Sequence, residues 1–187
     1  MKRLFSIIFL LVVALTLTGC KSREYKDAKE LATSGEYENA IIAFTALGDY
    51  KDSEERCVVL QIQQFICEFG EAGESLGDLT PLNYNSEVKS IETLAEGLAD
   101  FAENFETSEF ASDEELSKIV KKLNVGGQGM LLLMEMNREY ISEYNASAFT
   151  IISPIMRTYL SNSEDVFRST CEQIRNMELP SKYDDWY

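Results

Sequence analysis

Apolar residues recur along this chain at intervals of three and four, the spacing of one helix face. Tyr37, Ala40, Ile41, Phe44 and Leu47 are typical, and no stretch sustains the two-residue alternation of a half-buried strand. The pattern predicts helices over about 23–34 and 36–47, broken at Gly35 and ended at Gly48. So short a connection makes the two antiparallel neighbours. Asp52-Ser53-Glu54-Glu55 reads as an acidic N-cap. It opens a helix carrying Val58, Val59, Ile62, Phe65, Ile66 and Phe69, which weakens through Gly70, Gly73 and Gly77 and closes at Thr80-Pro81. Asn85-Ser86 starts another, striped by Val88, Ile91, Leu94, Ala95, Leu98, Phe101, Ala102 and Phe105.

Ser112-Asp113-Glu114-Glu115 forms a second capping box, leading to Leu116, Ile119, Val120 and Leu123. Gly126-Gly127-Gln128-Gly129 is expected to interrupt that helix, as a kink or a close approach to a neighbour. An apolar helix then runs from Met130 to about Tyr144 or on through Phe149 to Pro154. A stripe of Ile155, Met156, Tyr159 and Leu160 reaches a further capping box at Ser161-Asn162-Ser163-Glu164, which opens a last helix with Val166, Phe167, Cys171, Ile174 and Met177. Residues 179–187 read as a non-helical tail whose aromatics dock or fray, with an exposed interaction point as the alternative. The expectation is an all-α protein: a helical hairpin over 20–60, then an antiparallel helical bundle over 61–178.

The first 19 residues differ. Lys2 and Arg3 precede an apolar run, Leu4 to Leu17, followed by the small residues Thr18 and Gly19. That is the layout of a secretory signal. A run of about 14 residues is roughly 20 Å of helix, short of the hydrocarbon thickness of about 30 Å. Leu17-Thr18-Gly19-Cys20 resembles the lipobox of bacterial lipoproteins. The resemblance implies cleavage between Gly19 and Cys20, a diacylglyceryl group on the Cys20 thiol, and a protein anchored by lipid on the extracytoplasmic face of the cell membrane. Two or more acyl chains hold a protein firmly where one does not.

Charge narrows the partners. The chain carries 17 Lys and Arg against 32 Asp and Glu, a net −15, and loss of Lys2 and Arg3 with the signal makes it more acidic still. Such a surface repels phosphates, so no nucleic-acid partner is expected. With 45% hydrophobic residues, 10 Phe and 9 Tyr, there is apolar area enough to offset chain entropy. No histidine is present, which removes the commonest general base and zinc ligand together. Beyond Cys20 stand Cys57, Cys67 and Cys171. Buried free thiols are the preferred reading, with a bridge from Cys57 or Cys67 to Cys171 as the alternative.

Tyr25, Ala28, Leu31, Gly35, Tyr37, Ala40, Ile41, Phe44 and Leu47 follow a pattern of their own. Small Ala28 and Ala40 let two helices approach, and Gly35 turns the chain. Over about 22–60 this resembles a tetratricopeptide repeat, whose Ala-x-x-x-Phe element is matched by Ala40 and Phe44. The family's early Trp and Leu-Gly pair are replaced by Glu24 and Asp27-Ala28, and its closing Pro by Asp52. The family binds peptides along its first helices, so the resemblance makes Tyr25, Lys29 and Thr33, beside Ser22, the candidate partner-binding residues. One hairpin buries its face only by packing on the helices that follow.

Catalytic chemistry finds little support. Glu135, Glu139 and Glu143 share a helix face at i, i+4, i+8, but lack the Glu-x-x-His pairs of di-metal bundles and read as a solvated stripe. Ser153 and the three thiols have no histidine to activate them. Gly126 to Gly129 lack a preceding strand and a following Lys-Ser/Thr, so a phosphate loop is rejected. Met130, Met134 and Met136 among Leu131–Leu133 read as core or as an adaptable contact surface. No cofactor, metal or catalytic residue is expected. The function expected is a lipid-anchored, non-enzymatic protein-interaction or envelope-assembly module, with a ligand-binding lipoprotein holding its ligand between bundle helices as the alternative.

Overall fold

The computed structural model describes residues 21–145 and 154–187. Gly19, Cys20 and the signal, and the expected continuation through Phe149, lie outside the described residues. Within them the protein is all-α, without a strand. Helix α1 covers 21–33, α2 Tyr37–Leu47, α3 Ser53–Ser75, α4 Tyr84–Glu87, α5 Lys89–Glu106, α6 Glu114–Asn145 and α7 Pro154–Arg175. Two 3₁₀ segments, Glu109–Ser112 and Ser181–Trp186, complete the regular structure described. The chain divides into two compact units: residues up to Gln64 together with Ser181–Tyr187, and Phe65–Pro180.

In the first unit α1 and α2 form the expected hairpin. Gly35, at φ +82°, donates to Ala32 O at 3.1 Å, and Glu36 donates to Leu31 O at 3.0 Å. This is a Schellman ending, whose left-handed position favours glycine. Tyr25, Ala28, Ala32, Ala40, Phe44, Leu47 and Leu60 make the core, the three alanines fully buried. The tail departs from expectation by forming a 3₁₀ turn. Its aromatics dock: Tyr183 is 1% exposed and donates to Glu55 Oε1 at 2.9 Å, and Tyr187 packs against the hairpin core.

The second unit is a helical bundle. An alanine Cβ at Gly127 would meet Leu98 and Ala95, and Arg138 reaches Glu92, so α5 and α6 run antiparallel. Gly126 lies against Ile174 and Thr170 while Asn137 meets Ser163, which sets α7 antiparallel to α6. Gly70 faces Arg175 and Gly73 faces Cys171, placing α3 antiparallel to α7. The α5 stripe is inside as predicted: Ile91, Ala95, Leu98, Ala102 and Phe105 are buried.

Two expected breaks do not occur. Helix α6 continues through Gly126–Gly129, because two of these glycines are contact points where a Cβ would come within 3.3 Å of Ile174 or Leu98. Close approach offsets the helix-propensity cost. Helix α3 runs through Gly70 and Gly73 but ends at Ser75, before Gly77 and short of the expected close at Thr80-Pro81. Helix α7 is continuous through Ser161–Glu164, and Ser163 is no cap: it is buried, its hydroxyl shared between Tyr159 O and Asn137 Oδ1, each 3.1 Å away. Ile155 and Val166, expected in the α7 stripe, are 71% and 50% exposed. At the start of α6 a cap does form, through Asp113, whose Oδ1 accepts from Glu115 and Leu116.

Candidate functional site

Of the predicted partner-binding residues, Tyr25 lies within the first unit's core, its ring edge-on to Phe44 at 5.6 Å and to Tyr50 at 5.9 Å. Its hydroxyl donates to Asp52 and accepts from Arg56 Nε at 2.9 Å. Lys29 is half-buried, and Thr33 is exposed with its hydroxyl turned back to the carbonyls of Lys29 and Glu30. The three therefore do not form one open surface.

Around Tyr25 sits a cluster that sequence reading missed. Arg56 is 4% exposed, its guanidinium 4.1 Å from the Trp186 ring centre and its Nε 3.2 Å from Asp52 Oδ2. Its Nη1 is buried without an acceptor among the described residues, where stacking on aromatic rings replaces hydrogen bonding. Burial pushes the Tyr25 phenol up, and its bond to Asp52 adds to this. Burial would also raise the Asp52 carboxyl, but hydrogen bonds from Tyr25 and Arg56 outweigh it and hold it below its ordinary value. The Tyr25 hydroxyl, the Asp52 carboxylate and Arg56 Nε satisfy one another, and the Arg56–Trp186 stack latches the tail onto the hairpin. The i, i+4 spacing of Asp52 and Arg56 was the only sequence signal for it.

The second unit has a buried polar network. Asn137, fully buried, donates to Tyr84 OH at 2.9 Å and accepts from Ser163. Burial raises the Tyr84 phenol to about 12. The partners of Ser163 are an amide and a carbonyl, neither a base, so the network ties α4, α6 and α7 in register. Nearby, Arg168 donates to the carbonyls of Gly73 (3.1 Å) and Leu76, closing the C-terminal end of α3. Cys57, Cys67 and Cys171 form no disulfide among the described residues, and burial raises the Cys171 thiol to about 11.

Two features face outward. A groove of ≈ 410 Å³ between α6 and α7 is lined by Val125, Gly126, Ile174 and Met177, with Lys121 and Lys122 on its rim. Along α6, Val125, Leu132 and Met136 are 74%, 60% and 51% exposed, while Met130 and Met134 on the opposite side are core. The methionine-rich segment thus divides between core and surface. Glu135, Glu139 and Glu143 are exposed, and no cluster of acidic or thiol side chains fit to hold a metal occurs among the described residues. No described helix is long and apolar enough to cross a membrane.

Comparison with protein families, with characterised proteins and with solved structures gives no match.

Proposed function

We propose that this protein is a lipid-anchored interaction module held outside the cytoplasmic membrane, engaging a protein partner through the outward face of α6. The carrying observation is the exposed apolar stripe of Val125, Leu132 and Met136 on an otherwise acidic chain. Large apolar side chains aligned along one exposed helix face support an interaction site. The lipobox-like Leu17-Thr18-Gly19-Cys20 supports the anchor, and the Gly35 turn with its alanine interface supports the repeat-like reading of 22–60.

A photo-crosslinking residue at Leu132, in the full chain in intact cells, tests the reading. A discrete protein adduct is expected there and none from the exposed Glu103 on α5; absence of any adduct at Leu132 overturns it. For the anchor, an alkyne-labelled palmitate should tag the protein, and Cys20→Ala should lose both the tag and membrane retention. A Cys20→Ala chain that stays in the washed membrane fraction counts against the anchor. The α6–α7 groove favours a second reading, a small amphipathic anion held by apolar walls beside Lys121 and Lys122. A saturable rise in Tm with a fatty acid, abolished by Ile174→Asp, would support it.

A further inference from the structure

The outward face of α6 also specifies what docks on it, given the interaction reading above. Val125, Gly129, Leu132 and Met136 follow one another at intervals of four, three and four. This is the heptad spacing of a two-stranded coiled-coil seam. The same intervals continue to exposed Lys122 and Lys118 before the apolar stretch, and to exposed Glu139 and Glu143 after it. One helix face is therefore basic at its start, apolar in its middle and acidic at its end. The opposite face is already used by the core, through Leu116, Val120, Leu123, Met130 and Met134.

We propose that this face docks a second copy of the chain, α6 against α6 in antiparallel, about a two-fold axis between Met130 and Leu131. Each position then meets the one equally far beyond the axis. Lys118 pairs with Glu143 of the second copy and Lys122 with its Glu139. Val125 packs on Met136 and Leu132 enters the space at Gly129, where an added Cβ would find nothing within 4 Å. All four charged positions meet an opposite charge, and the interface is self-complementary as two-fold symmetry requires. A parallel pair would set lysine on lysine and glutamate on glutamate. An anionic bilayer would suit the basic end and repel the acidic one. A second copy satisfies both ends with the same residues. Two copies tethered through Cys20 to one membrane raise each other's effective concentration, which helps a net −15 chain overcome its own repulsion.

A carbodiimide, which joins a lysine amine directly to a carboxylate, tests this on the full chain in membranes and after detergent extraction. Lys118 and Glu143 of one α6 are about 37 Å apart at 1.5 Å rise per residue, so any amide between them joins two copies. Peptides linking Lys118 to Glu143 and Lys122 to Glu139 are expected, in a species of twice the chain mass. Lys118→Glu with Lys122→Glu removes the reacting amines and with them those peptides. Its effect is read instead as the dimer fraction in detergent by light scattering, which should fall about tenfold because like charges then face each other. Glu139→Lys with Glu143→Lys should do the same, and combining all four exchanges should restore it. Absence of both linked peptides, or failure of the fourfold exchange to restore the dimer fraction, overturns the proposal. If Leu132 photo-crosslinks to a different protein instead, the interaction reading stands and self-docking falls; if it yields no adduct, both fall.

Discussion

Replacing Gly73 with alanine probes the register of α3 against α7. The added Cβ would lie 2.5 Å from Cys171 Cβ and 3.4 Å from its sulfur. Carbon atoms in contact sit about 3.5–4.0 Å apart, so the two helices must part by roughly 1 Å. Neither atom belongs to the far end of a flexible chain that can swing away. An approach as close as 2.5 Å falls in the upper part of the range for overpacking, about 2–3 kcal/mol. Alanine recovers about 1 kcal/mol over glycine in a helix interior, leaving a net loss of about 1–2 kcal/mol. For a chain of this size that lowers Tm by about 2–8 °C. The control is Gly97→Ala on α5, where the new methyl would meet Phe65 at an ordinary 3.9 Å. There the same substitution should stabilise by about 0.5–1 kcal/mol. Thermal and urea unfolding followed by far-UV circular dichroism measures both. Pairing Gly73→Ala with Cys171→Gly moves the missing Cβ to the other helix and should recover part of the loss, a coupling absent between independent sites. A Gly73→Ala chain as stable as its parent, or a strictly additive pair, would refute the α3–α7 packing described here.

Trp186 is the single tryptophan, so its emission reports the tail; Arg56→Met removes the cation 4.1 Å from its ring and should shift emission to the red. Unchanged emission would mean that Tyr183 and Tyr187 dock the tail unaided. Tyr84→Phe leaves the buried Asn137 amide without its acceptor and should cost about 1–3 kcal/mol by urea unfolding. Burial raises the Tyr84 phenol from 10.0 to about 12, so its contribution is intact below pH 10 and is lost as pH rises towards 12. Tyr84→Phe should flatten that alkaline decline, and an unaltered decline would refute the assignment. With its thiol raised to about 11 and its side chain buried, Cys171 should react with iodoacetamide only after unfolding, later than half-buried Cys67. Mass spectrometry of the labelled peptides decides the order.

The helices were legible because each buries one face, and that face leaves its period in the residue order. The α5 stripe and the hairpin core were both readable from spacing. Gly35 was readable too, since a left-handed helix ending nearly demands glycine. The close approach expected at the α6 glycines is present, but the helix break expected there and the cap expected at the α7 serine failed for one reason. A local breaker signal says what a residue does in an isolated helix, not what a neighbour does with the space or the hydroxyl. Gly126 and Gly127 are continued helix because Ile174 and Leu98 pack on them, and Ser163 is core because Asn137 Oδ1 accepts its hydrogen bond.

Functional residues divide along the same line. The α6 heptad of lysine, apolar and glutamate positions is written in the chain, but 32 acidic residues hide such a pattern until exposure distinguishes the outer face from the core. Tyr25 looked available and is enclosed, because Asp52 and Arg56 bond its hydroxyl while Phe44 and Tyr50 pack against its ring. Residue order alone determined helical class, acidity, the absence of histidine chemistry and the lipobox-like Cys20, all of which depend on near neighbours or on totals. Only the tertiary structure decided which glycines inside the helices admit a neighbour, and which apolar side chains remain on the surface. Those outcomes depend on contacts between residues far apart in sequence, whose free energy no local pattern contains.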